Sequence, residues 1–106
     1  MPKFLMEVSY TAEGAAGVRK DGGTKRKAVA QKAAKSVGGK LESFYFSFGD
    51  TDAVLIVDLP DATSAAAIGL NLASSGAAHT RTTLLLTPED IDKASGKKIT
   101  YTPPGE

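Results

Sequence analysis

Asp50 and Asp52 stand two residues apart in Gly49-Asp50-Thr51-Asp52, a spacing that offers two carboxylates to general-base chemistry or to a hard cation. The same residues also make a hairpin turn, with Asp50 bonding its own backbone and Gly49 at positive φ. The turn reading is the stronger, because a calcium loop needs further acids at fixed spacing. His79 and Arg81 alternate on one face of an extended segment. They could hold an anionic or carbonyl substrate, with His79 as an acid-base group near neutral pH. Equally, they are the polar groups that keep an edge strand from aggregating. Tyr10, at a strand end beside a helix start, is a candidate to orient a small ligand, whereas Tyr45 is better suited to an interface. His79, Tyr10 and Asp52 are therefore the candidate catalytic set, and Tyr10, His79, Arg81 and Asp50 the candidate ligand-binding set.

Composition removes most other chemistry. The 106 residues include no cysteine and one histidine, so disulfides, thiol catalysis and a tight zinc or copper site within one subunit are not expected. No metal or other cofactor is called for. Ser9, Ser43 and Ser47 sit in no nucleophile-elbow context. Eight basic residues (Arg19, Lys20, Lys25, Arg26, Lys27, Lys32, Lys35 and Lys40) surround a lone acid, Asp21. The spacing is not that of a P-loop, the stretch has no aromatic residue, and the net charge is only +1. It reads as a solvated helix face, without specific nucleic-acid recognition. The acids at Glu42, Asp50, Asp52, Asp58 and Asp61 have no base among them, which suggests that one subunit's basic helix meets another's acidic turns. The opening run from Met1 meets an acid at Glu7 before a signal-peptide core forms. No apolar run nears the roughly 20 residues of a membrane span, so a cytoplasmic protein without a membrane partner is expected.

The elements that position these groups follow from period and punctuation. Phe4, Met6, Val8 and Tyr10 share one face of a first strand. Thr11 caps a short helical turn weakened by Gly14 and Gly17, Asp21-Gly22-Gly23 breaks it, and Thr24 is expected to cap a helix over 25–37. Ala28, Val29, Ala33, Ser36 and Val37 are that helix's expected inner face. A second strand over 41–48 places Phe44, Phe46 and Phe48 with Glu42 on one side, and Ser43, Tyr45 and Ser47 on the other. Ala53 to Leu59 is apolar on both faces, as a central strand is. Asp61 or Thr63 starts a helix to about Ser75, with Ala65, Ile68, Gly69, Leu72 and Ala73 inward and Gly76 as its stop. A threonine-rich strand runs over 78–86, Thr87-Pro88-Glu89-Asp90 starts a short helix, and an extended tail follows.

Strand, helix, strand, strand, helix, strand gives an α+β fold in one domain spanning 1–106: a ferredoxin-like βαββαβ sandwich with an antiparallel sheet of order 4-1-3-2. Helices cover one sheet face only. The other, carrying Tyr45 and half of the third strand, is too apolar for plain solvent and implies a homodimer, sheet against sheet.

Phe4 to Tyr10 with Thr11-Ala12-Glu13-Gly14, Gly38 to Phe46, Gly49-Asp50-Thr51-Asp52 and Leu86-Thr87-Pro88-Glu89 together resemble the GYD-domain family, from Phe4 to about Asp92. Thr51-Asp52 stands where that family's motif has Tyr-Asp. The resemblance implies a dimeric α/β barrel and no defined activity. The wider superfamily includes cofactor-independent oxygenases, small-molecule isomerases and haem enzymes, so the fold does not choose among them. Two functions remain: a homo-oligomeric module that binds a small organic or anionic ligand, or a cofactor-independent isomerase- or monooxygenase-like enzyme.

Overall fold

Strict alternation makes the sheet. In the computed structural model, which describes residues 1–106, β1 (Lys3–Tyr10) and β3 (Ala53–Asp58) pair antiparallel with Phe4 opposite Val57, Met6 opposite Leu55 and Val8 opposite Ala53. These six side chains point to one face and, with Leu59, Ala65 and Ala78, form the core. Met6 and Val57 are each 1% exposed, and full burial of such a side chain contributes about 1.5–3 kcal/mol. β2 (Lys40–Phe46) flanks β3, and β4 (Ala78–Leu85) flanks β1. The order β2-β3-β1-β4, antiparallel throughout, is the expected order read from the other edge of the sheet.

The second strand departs from its expected course at both ends. A bulge between Leu41 and Ser43 takes Glu42 out of the alternation, so it does not join the phenylalanines. Lys3 instead donates to Glu42 at 2.6 Å and to Asp58 at 2.8 Å. At the other end, pairing stops where Phe46 meets Ala53, so nothing holds Phe48 in the strand. Phe48 is 67% exposed, takes φ 48° and stacks on Phe46 with ring centres 5.8 Å apart. The left-handed residue of this turn is thus Phe48 rather than Gly49. The turn is held not by Asp50 but by Ser47, whose hydroxyl donates to the Thr51 carbonyl at 2.7 Å.

α1 (Ala12–Asp21) is capped as expected, with the Gly14 amide donating to Thr11 Oγ1 at 3.1 Å. It runs longer than the expected turn. One residue, Gly22 at φ 85°, both ends α1 and begins α2 (Gly23–Ser36). Thr24 therefore lies inside the first turn and caps nothing. The expected inner face of α2 is also rotated. Ala28 and Ser36 are exposed, Val29 is 41% exposed, and the inward residues are Arg26, Ala30, Ala33, Ala34 and Val37. The cause is close approach: a Cβ on Gly23 would lie 2.9 Å from the Phe46 ring, and Ala34 is 1% exposed. Contact this tight requires a side chain as small as that of Ala34 at the closest point.

α3 (Ala62–Ser74) is capped by Asp61, which accepts from the Ser64 amide at 2.8 Å. Ala65 is buried and Ile68 and Leu72 pack on the core, while Ala73, expected inward, is exposed. Gly76 ends this segment at φ 76°. α4 (Pro88–Gly96) starts with a reciprocal capping box between Thr87 and Asp90, and no residue of α4 or the tail is buried. No helix is long and apolar enough to cross a membrane.

Candidate functional site

The two sheet-covering helices lie over opposite edges, α2 on β2 and α3 on β4. The central strands between them are left as the floor of a cleft of about 390 Å³, within the range of small-ligand pockets. Hydrophobic residues supply 14 of its 19 lining residues, among them Val8, Val37, Phe44, Ile68 and Leu72. Most of its polar groups are already satisfied along their own helices. Ser36 donates to the Ala33 carbonyl at 2.6 Å, Asn71 to Ala67 at 2.9 Å and Ser75 to Leu72 at 2.6 Å. Arg26 is the exception: its Nε is buried and has no hydrogen-bond partner.

Tyr10 stands beside Arg26 at one end of this cleft. Its amide donates to Asp52 Oδ2 at 2.8 Å, which fixes the end of β1 against the β2–β3 turn. Burial, opposed by the adjacent Arg26 guanidinium, raises the Tyr10 phenol above its ordinary pKa, and the Asp52 charge adds to the rise. The phenol consequently keeps its proton at neutral pH and acts as a hydrogen-bond donor.

His79, Arg81 and Asp50 lie elsewhere. They share a polar depression with Glu7 and Ser9 on the sheet face that no helix covers. Arg81 sits 3.5 Å from Glu7 across the β1–β4 pair, and His79 is exposed. The structure thus divides the candidate set. His79, Arg81 and Asp50 come together on the open face, Tyr10 lines the cleft on the opposite face, and Asp52 touches the Tyr10 backbone between them. The candidate catalytic residues His79 and Tyr10 therefore do not converge on one point. No group of three or more His, Asp or Glu side chains is placed to hold a metal ion. Of the five acids, Asp58 and Glu42 are engaged by Lys3 of the same chain, Asp61 caps α3 and Asp52 accepts from the Tyr10 amide.

Arg26 is the residue that sequence reasoning missed. Its signal was its register: 26, 30, 33, 34 and 37 form one helical stripe, and among the basic residues from Arg19 to Lys40 it alone is half-buried. No curated protein and no solved structure matches the chain. A family model does match, the GYD domain, over residues 4–95, and the chain belongs to the GYD domain family.

Proposed function

We propose that this protein is a small homo-oligomeric α/β-barrel module that binds a small organic or anionic ligand in the cleft between α2 and α3. The observation that carries this reading is the cleft itself: preformed, mostly apolar, floored by the central strands and holding one cationic group whose Nε has no partner. The separation of His79 from Tyr10 supports binding over catalysis, since acid-base work needs its groups within reach of one reacting atom.

Assembly is supported by surface area. The chain exposes 7353 Å², where a compact monomer of 11.0 kDa exposes about 5,600 Å², an excess of about 1,700 Å². A standard interface needs about 800 Å² from each partner. Part of the excess belongs to the outlying α4 and tail. The open sheet face, where Leu5, Val54 and Ile56 are half-buried and Tyr45 is 72% exposed, offers the apolar surface for such an interface. Sheet-to-sheet pairing there makes the oligomer a dimeric barrel.

Native mass spectrometry of the protein as purified, with light scattering on a sizing column, tests both halves. The expected result is at least twice the 11.0 kDa chain mass, with a small organic molecule retained. Tyr45→Glu should dissociate the assembly, because it places a charge in an apolar seam. A wild-type monomer at micromolar concentration would end the assembly reading.

A further inference from the structure

Arg26 is the one charged residue lining the cleft. It forms no salt bridge, because the chain's ion pairs involve only Lys3, Lys25 and Arg81 as cations. A guanidinium cannot shed its charge at any pH a protein survives, so burial does not neutralise it as it would a lysine. A buried donor on an ionised group costs free energy until an acceptor reaches it. None of the other polar side chains in the lining, Ser36, Asn71, Ser75 or Thr80, brings an oxygen to Nε. No side chain of the lining thus supplies an acceptor to Nε, which leaves that position open to a ligand.

Resting on the reading of the cleft as a ligand site, we propose that its ligand is an apolar monocarboxylate, whose carboxylate accepts from Arg26 and from the Tyr10 hydroxyl while its hydrocarbon body lies between α2 and α3. The charge count sets the headgroup. A single guanidinium with no lysine in the lining balances one negative charge, whereas a phosphate monoester brings nearly two. The planar fork of arginine also matches a carboxylate's two oxygens. The wall sets the body: Ile68, Leu72, Phe44 and Val37 offer no further polar contact, so a second hydrophilic group on the ligand would be desolvated without a partner. Tyr10 adds a neutral donor beside the guanidinium, because its desolvated phenol keeps its proton.

Octanoate and 1-octanol share one chain and differ at the headgroup, so calorimetric titration of each into the full-length protein at pH 7 tests the assignment. Octanoate is expected to bind at least tenfold more tightly than 1-octanol. Arg26→Gln should weaken octanoate by about tenfold to a hundredfold, the range of a hydrogen bond to a charged group, and leave 1-octanol within about twofold. Tyr10→Phe should weaken octanoate less than Arg26→Gln does. Equal affinities for the two probes in the wild-type protein would overturn the carboxylate assignment while leaving the cleft as an apolar binding site. Binding of neither at millimolar concentration would overturn both. The wild-type comparison decides the matter even if Arg26→Gln does not fold.

Discussion

Gly14 and Gly17 sit one helical turn apart in α1, and the same substitution at each should move stability in opposite directions. Replacing a helical glycine by alanine removes unfolded-state freedom and gains about 0.5–1 kcal/mol. At Gly17 a new Cβ meets nothing within 4 Å, so Gly17→Ala should realise that gain in full. At Gly14 the Cβ would fall 1.9 Å from the carbonyl oxygen of Ala77 and 2.8 Å from its carbon. That oxygen accepts from the Thr11 amide at 3.0 Å and from the Thr11 hydroxyl at 3.2 Å, so it cannot retreat without breaking the contact that seats α1 on the α3–β4 connection. Overpacking against backbone costs about 1–3 kcal/mol or more, and the value at the upper end applies where neither partner can move. After the helical gain is subtracted, Gly14→Ala should lose about 2 kcal/mol net. A chain of 106 residues has an unfolding entropy near 0.22 kcal/mol per degree, from about 2.1 cal/mol/K per residue. The melting temperature should therefore rise by about 2–4 °C for Gly17→Ala and fall by about 9 °C for Gly14→Ala. Thermal unfolding followed by circular dichroism, at one protein concentration for all three chains, measures both. A rise of similar size in both variants would mean that α1 does not dock on Ala77, and would release the end of β1 that carries Tyr10.

Asp61 caps α3 with a carboxylate held below its ordinary pKa by the Ser64 amide and then by the Ser64 side chain. A depressed carboxylate contributes stability above its unfolded pKa and loses it as pH falls through the folded value, so melting temperature should drop on acidification below about pH 4. Asp61→Asn keeps a capping oxygen without the titration and should flatten that part of the drop in a melting series from pH 7 to pH 2. Deleting residues 87–106 removes no buried side chain, so the melting temperature should shift by no more than about 2 °C, as for other surface changes. A larger fall, or a change of oligomeric mass on a sizing column, would place α4 in an interface.

What the sequence made legible was whatever depends on a period of two. Phe4, Met6 and Val8 face the core because alternation leaves no other choice once one face is buried, and Ala53 to Leu59, apolar on both faces over most of its length, had to be central. Strand order then followed from handedness. The failures share a different cause. The bulge at Glu42 and the departure of Phe48 depend on where β3 begins pairing, which is a property of two strands and is written in neither alone. Thr24 was a good cap residue in the wrong place, because a glycine with positive φ serves as the boundary of two helices at once.

The cleft failed to show for a reason that bears on its use. Small inner faces on α2 and α3 signal close approach to the sheet, and both helices do approach it closely: a Cβ on Gly69 would lie 3.1 Å from Thr80 Oγ1, and Ala34 is 1% exposed. The same small residues cannot reach each other across the central strands. Here α2 lies over β2 and α3 over β4, and the small side chains between them leave a gap over the central strands. From α2 and its C-terminal cap, the residues lining that gap are Val29, Ala30, Ala33, Ala34, Ser36 and Val37, with Arg26 as the one long side chain. A chain selected only for stability would gain by placing leucine at 33, since each buried methylene contributes about 0.8 kcal/mol. Alanines there, with a charged group among them, accord with the ligand proposed for the cleft. The conflict between local packing and the sequence thus marks the site more sharply than any motif in the chain.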